Sequence, residues 1–446
     1  MSEKSFRVIL VLVVIIWAIF VLVPSLTDFL PRAWAAVQYF LPGNNPRVTV
    51  TVTDGAGNNV LAGVRVQIVT GQTAYVGETN EAGQAVFESV PAGRALQLRA
   101  QKLDYEINIV DNPAIPYRQR ARYNIVMVRS FGQRLYVAHE TTANSYGFSL
   151  LDTASRIVMT PPGAANAWEN VPAGDIRVSA SNQHMFDLTP NSIIALSTAD
   201  GAKSGELAMP APPMTGGLAL DANGEVIYTM TREGGTGRSR WLTSMFTRSF
   251  VQRFSVQVAT TANSVVLILS QDGQRIYVLP VGDQSLMVYD TRSGQRISIF
   301  QLGDRIKDAV LARNGQTLYV LTERSAIPLA VSLTGVMKAT PVLDKDTQNA
   351  LAGATRLVVA DYQQRHWLCL LQPSAKQVAI IDLDATTIQT VAVGREPASL
   401  AHATGTDDLY VADKSGNSLV VVSLTEHKVT DEIDVRSKPA LLVPPQ

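Results

Sequence analysis

The sequence predicts an all-β protein with one N-terminal transmembrane helix, in which a β-sandwich is followed by a seven-bladed β-propeller. Three observations carry that reading. An apolar run without a break spans Val8–Val23. From Arg47 onward apolar and polar residues alternate, which is the period of a half-buried strand. The last third of the chain repeats itself. Gln274-Arg275-Ile276-Tyr277-Val278 is followed by Leu286-Met287-Val288-Tyr289-Asp290, and Asp408-Leu409-Tyr410-Val411-Ala412-Asp413 by Leu419-Val420-Val421-Val422-Ser423, with Gln316-Thr317-Leu318-Tyr319-Val320 between them. A period of roughly 45 residues with several short strands in each unit is the signature of a propeller.

The apolar run comes first. As a helix it covers about 24 Å at ~1.5 Å per residue, slightly short of a bilayer core of about 30 Å. Leu26, Phe29 and Leu30 can extend it past Pro24. Lys4 and Arg7 precede it, which favours a cytoplasmic N-terminus and an exported remainder. The rival reading is a cleaved signal peptide with Ala33-Trp34-Ala35 as its small-residue site. That site lies well beyond the apolar run and has bulky neighbours in Phe29 and Tyr39, so an uncleaved anchor over residues 1–30 is the expectation. Residues 31–46 follow as an interfacial segment or linker. Trp34, Tyr39 and Phe40 are aromatic types enriched at the membrane boundary, and Pro42-Gly43-Asn44-Asn45-Pro46 ends any helix.

Composition narrows the function classes. The chain has 446 residues, room for two or three domains. Its 38 basic side chains balance 38 acidic ones and no basic run stands out, so nucleic acid is not an expected partner. The single cysteine, Cys369, lies within the apolar stretch Trp367–Leu371 and reads as a buried structural thiol.

The sandwich is assigned to residues 47–128. Val48, Val50 and Val52 alternate with polar residues, Asp54–Asn59 is a turn by composition, and Val64, Val66 and Ile68 mark the next strand. Asn80-Glu81-Ala82-Gly83 turns into Gln84-Ala85-Val86-Phe87, and Val90-Pro91-Ala92-Gly93 into Leu96-Gln97-Leu98. Taken with Leu61-x-Gly63-Val64-x-Val66 and Tyr105, this spacing resembles the carboxypeptidase regulatory-like domain, a transthyretin-type sandwich. The resemblance implies a spacer or adhesion module without chemistry of its own. Arg118, Arg120 and Arg122 alternate with Gln119, Ala121 and Tyr123, as a solvated strand face does.

The propeller is assigned to residues 129–446. Aromatic anchors recur at Tyr136, Phe186, Tyr228, Tyr277, Tyr319, Trp367 and Tyr410, each placed in the second strand of a blade. Turns precede several of them, at Asp221-Ala222-Asn223-Gly224, Gln271-Asp272-Gly273 and Arg313-Asn314-Gly315. The chain stops after one strand of a further unit, Pro439-Ala440-Leu441-Leu442-Val443, while the first blade lacks its first strand. Ala440–Val443 is therefore expected to complete blade 1, with Asn124–Val128 as the competing strand. The unit from Gly394-Arg395-Glu396-Pro397 through Leu409-Tyr410-Val411-Ala412-Asp413 to Val429-Thr430-Asp431-Glu432-Ile433 resembles the YVTN-type propellers, related in fold to lactonase-like and NHL propellers. Residues 264–303 match nearly as well. Blades over 139–260 depart from the pattern, chiefly at the Gly/Arg-rich loop Arg232–Arg240.

No catalytic, cofactor-binding or metal-ligating set assembles by spacing, and no cofactor is expected. His139, His184, His366, His402 and His427 are scattered, and no Gly-x-Ser-x-Gly elbow is present. Charge concentrates in loops that lead into innermost strands: Asp304-Arg305, Lys307-Asp308, Arg395-Glu396 and Arg436 to Lys438. Mixed in sign but rich in Arg and Lys, they suit an acidic ligand or partner. Candidate partner- or ligand-binding residues are thus Asp304, Arg305, Lys307, Arg395 and Glu396, with Arg232, Arg238 and Arg240 in the long loop. That loop lacks the Lys and the following helix of a phosphate-binding P-loop. The expected function is a membrane-anchored extracytoplasmic binding or scaffold protein with a protein partner, or an accessory subunit of a membrane complex. The alternative, implied by the propeller resemblance, is a lactonase-like hydrolase with a metal at the propeller centre, held by residues such as Glu396 or Asp304.

Overall fold

The computed structural model describes residues 47–444 apart from short segments, chiefly 55–58, 113–119, 128–133, 161–170, 233–238 and 345–349. The expected anchor over 1–30, the segment 31–46, Arg118 and Arg238 lie outside the described residues. Among the described residues no helix is long and apolar enough to cross a membrane. The chain forms two compact units, 1–132 and 133–446.

In the first unit Val48–Asp54 lies between Gln84–Phe87, antiparallel, and Ala121–Met127, parallel. A second sheet runs Thr73–Glu78, Arg65–Thr70, Leu96–Gln101, Asn108–Asn112 in spatial order. Alternate residues of both sheets meet in one core: Val48, Val50 and Val52 from the first, Val66, Ile68 and Leu98 from the second. The period of two in the sequence is this burial. Gly83 sits at φ +68°, and a Cβ there would come within 2.8 Å of the Val52 carbonyl oxygen, so the turn before Gln84–Phe87 requires its glycine. Arg122 is exposed on Ala121–Met127, a solvated face as expected.

The second unit is a ring of seven sheets, blades 1 to 7. Their innermost strands are Pro439–Val443, Asp175–Val178, Pro213–Leu220, Val265–Leu269, Ile306–Leu311, Arg356–Tyr362 and Pro397–His402, in blade order. Each touches the next, and Pro397–His402 touches Pro439–Val443, which closes the circle. All seven aromatic anchors lie in second strands, and six are at most 3% exposed, with Tyr319 half-buried. Blade 1 is completed by Pro439–Val443, one residue longer than read from the sequence. Leu441 pairs with Ala138, Leu442 with Val137 and Val443 with Tyr136. Asn124 instead belongs to Ala121–Met127 of the first unit.

Two local devices recur around the ring. An aspartate ends the third strand and folds back onto the following turn: Asp152 Oδ1 accepts from Ala154 and Ser155 N–H, Asp290 Oδ1 from Arg292 and Ser293, and Asp382 Oδ1 from Asp384 and Ala385. The innermost strands of blades 5, 7 and 1 carry a bulge at their second residue, where the register shifts between Ile306 and Asp308, Pro397 and Ser399, and Pro439 and Leu441. A bulge re-aims the side chain after it. In two of these blades that residue bridges to the next innermost strand: Asp308 Oδ2 accepts from Leu357 N–H at 3.1 Å, and Ser399 Oγ from Leu442 N–H at 3.2 Å.

Candidate functional site

Because each blade is an antiparallel ladder, loops that enter an innermost strand share one end of the ring with loops joining second and third strands. Asp304, Arg305, Arg395, Glu396 and the strand ends Arg232 and Arg240 therefore all lie at that end. Most of their polar atoms serve the loops themselves. Asp304 accepts from the backbone N–H groups of Arg305, Arg324 and Ser325 at 2.7, 2.9 and 3.1 Å. Burial pushes this carboxyl up, but the amides outweigh it and hold Asp304 below the ordinary carboxylate range. Glu396 accepts from Ser415 Oγ at 2.5 Å, and Lys307 Nζ donates to the Ala354 carbonyl at 2.9 Å. Arg240 is buried and its guanidinium donates to the carbonyls of Ala262 and Thr261 at 2.8 and 3.2 Å, which ties the third strand of blade 3 to the loop leading into blade 4. Arg305, Arg395 and Arg232 remain exposed, Arg305 facing Glu323 at 3.8 Å. Asp304 and Glu396 belong to loops leading into blades 5 and 7, and among the described residues no group of three His, Cys, Asp or Glu side chains is placed to hold a metal ion.

The structure instead gathers charge from innermost strands on opposite sides of the channel. Asp175 and Arg177 come from blade 2, Asp308 from blade 5 and Arg356 from blade 6. Asp175 Oδ2 accepts from the N–H groups of Gly216 and Gly217 in blade 3, just as Asp308 accepts from blade 6. Each carboxylate thus ties its strand to the next. Gly216 stands at φ +75°, where a Cβ would meet the Val265 carbonyl oxygen at 2.1 Å, so the close approach of these strands depends on glycine. The two guanidinium groups are differently placed. Arg177 Nη1 donates to the Ile176 carbonyl at 2.8 Å, and neither Arg177 nor Arg356 closes an ion pair among the described residues. Burial holds Arg177 below its ordinary range, with Asp175 opposing and the positive charge of Arg356 adding to the effect. Burial likewise raises Asp175 and Asp308, although the arginines pull both the other way. Near Asp175 stands Asp187, fully buried in the second strand of blade 2, with neither carboxylate oxygen hydrogen-bonded among the described residues. Burial, and then the charge of Asp175, push it up to about 8.

Of this group the sequence reading reached only the Lys307-Asp308 pair, and it favoured Lys307. The available signals were the polar residue that follows the bulge in an innermost strand and the alternation Asp175-Ile176-Arg177-Val178. His402, at the far end of its innermost strand, is buried and hydrogen-bonds the Thr406 carbonyl at 3.0 Å, a structural role within its hairpin. His366 lies 2.5 Å from Asp361 Oδ1, and Arg313 lies 3.1 Å from the other oxygen of that carboxylate.

A scan of protein-family models finds no match, and no curated protein matches the chain. Solved structures do match. A protein from Lactobacillus plantarum is 14% identical over 70% of this chain and 98% of its own, with a TM-score of 0.52. The periplasmic gluconolactonase of Pseudomonas aeruginosa is 14% identical over 70% of this chain and 98% of its own, at 0.51. Dihydro-heme d1 dehydrogenase NirN is 11% identical at 0.49, and this chain covers 63% of that chain's length. At such identities the likeness to the first two shows the fold alone, a β-propeller.

Proposed function

We propose that this protein is an extracytoplasmic binding protein, anchored to the membrane through residues 1–30, whose propeller receives an acidic group of a protein partner at the end of its channel. The observation that carries the reading is the pair Arg177 and Arg356, whose guanidinium groups share the channel while the neighbouring aspartates are engaged by backbone amides. Guanidinium groups without an ion pair favour carboxylate or phosphate oxygens, which they bind in bidentate fashion. Exposed Arg305 and Arg395 at the same end supply steering charge. A first unit of two sheets, similar to a carboxypeptidase regulatory-like spacer, fits a chain that holds its propeller away from a surface. The test is a pull-down of the full chain from native membranes in mild detergent. The expected result is a stoichiometric partner with the wild type, lost with Arg356→Glu, which is the more exposed of the two arginines. Recovery of the protein alone at its monomer mass overturns the reading.

A second reading, a hydrolase acting on a sugar lactone, is favoured by the protonated carboxyl of Asp187 beside Asp175, an arrangement of two acids with different proton affinity. Turnover of gluconolactone by the purified protein, lost with Asp187→Asn, would favour it over the binding role.

A further inference from the structure

We propose that the gap between blades 2 and 3 is a binding pocket for a small uncharged aromatic molecule bearing a hydrogen-bond acceptor. The cavity there has a volume of about 460 Å³, within the range of small-molecule sites. Its walls include Leu207 and Met209 at the end of blade 2, Thr231, Trp241 and Met245 on blade 3, and Phe250 in the turn between the last two strands of blade 3. Among the described residues no charged side chain lines it.

The cavity exists because blade 3 breaks the repeat at the positions that face its predecessor. In blade 7, Leu409 pairs with Val422 and Val411 with Val420, and all four pack against blade 6. In blade 4 the equivalent residues are Ile276, Tyr289, Val278 and Met287, packed against blade 3. The same places in blade 3 hold Ile227 opposite Met245 and Thr229 opposite Thr243. Two threonines thus stand where blades 4 and 7 have Val278 with Met287 and Val411 with Val420. The Thr229 hydroxyl is fully buried and has no hydrogen-bond partner among the described residues, which costs about 1–3 kcal/mol in an ordinary core. Thr231, two residues on in the same strand, is buried and lines the cavity, and its hydroxyl makes no hydrogen bond among the described residues. Thr231 therefore offers a donor to whatever fills the space.

The rim is built rather than loose. Phe250 takes the left-handed backbone conformation, φ 53°, at a turn position where blades 2 and 4 have Gly201 and Gly294. Its ring lies over Gly205 of blade 2, where a Cβ would come within 2.9 Å of Phe250 Cε2. Trp241 is held next to Arg240, whose guanidinium is fixed on the carbonyls of Thr261 and Ala262. An indole and a phenyl ring with two thioethers make walls that suit an aromatic ring, since sulfur–aromatic contacts are favourable. The uncharged lining among the described residues selects against an ionic ligand, because a desolvated charge finds no counter-ion among them.

The test uses the full chain in mild detergent, titrated calorimetrically with acetophenone, a neutral aromatic acceptor, and with benzoate, its charged counterpart. Saturable one-to-one binding of acetophenone and none of benzoate is expected. Thr231→Val, which keeps the shape and removes the donor, should weaken binding roughly three- to tenfold. Ser255→Phe, which fills the cavity, should abolish it, with melting curves run on both variants. No saturation by acetophenone, or affinity unchanged in both variants, overturns the proposal. The channel is not involved, so Arg356→Glu should leave acetophenone binding intact.

Discussion

At the scale of single residues, Asp187 has the least comfortable position. A carboxylate with both oxygens buried and unpaired is strongly disfavoured, so the group stays protonated in the folded chain up to a pH of about 8. In the unfolded chain it ionises near the ordinary value of 3.8. Between these values the folded state binds the extra proton, so stability falls as pH rises through the window and levels off above it. The slope from one such group approaches roughly 1.4 kcal/mol per pH unit. Asp187→Asn keeps the size and removes the titration. Its melting temperature should match the wild type near pH 4 and exceed it increasingly toward pH 8. Parallel pH profiles for the two proteins would show that Asp187 is ionised in the fold.

At the scale of elements, the turn after the third strand repeats one backbone requirement with different residues. Its last position is left-handed in Gly201 and Gly294, and also in Arg156, Phe250, Thr386 and His427. Outside glycine this conformation costs about 1–2 kcal/mol. Arg156 and Phe250 have contacts that hold them, whereas Thr386 is exposed and makes no side-chain hydrogen bond among the described residues. Thr386→Gly should therefore raise stability by up to about 1 kcal/mol in a denaturant melt, after the entropy of the added glycine is subtracted. An equal or lower midpoint would mean that Thr386 makes a compensating contact. Devices of this kind are legible in a sequence because they are local: Asp-Gly hairpins, aromatic anchors at a fixed strand position, and period-two alternation all sit within a few residues of what they determine. Asp175, Arg177, Asp308 and Arg356 were not legible for the opposite reason. They come from blades 2, 5 and 6, and only ring closure brings them together. Asp308 also depends on the bulge at Lys307, which flips which of two adjacent charged residues meets the next strand. Arg240 misled in the same way, since a guanidinium in a Gly/Arg-rich loop reads as free until the carbonyls of Thr261 and Ala262 are placed beside it.

At the scale of the whole propeller, the ring is held shut from two sides at the junction of blades 7 and 1. On the inside, Pro439–Val443 covers the edge of Arg134–Thr142, buries Leu442 and Val443, and donates the Leu442 N–H to Ser399 Oγ of blade 7. Toward the outside, Arg156 of blade 1 donates to Asp408 at 2.8 and 2.9 Å and to Asp431 at 3.1 Å, all three half-buried or buried. Burial opposes the Arg156 charge, but Asp408 outweighs it and keeps the guanidinium raised above its ordinary range. These two contacts are not equal. An ion pair of this kind adds modestly, because desolvation offsets most of its attraction. The inner strand removes an open sheet edge and buries two aliphatic side chains worth about 1.5–3 kcal/mol each. That sum is a large part of a typical net stability of about 5–15 kcal/mol. Removing residues 439–446 should lower the melting temperature by on the order of 10 °C and expose the Tyr136–Ala138 edge to self-association, seen as a concentration-dependent mass in light scattering. Removing residues 445–446 alone should change neither. A truncated chain that melts at the wild-type temperature would mean that the Arg156 cluster and the inter-blade cores close the ring without the last strand.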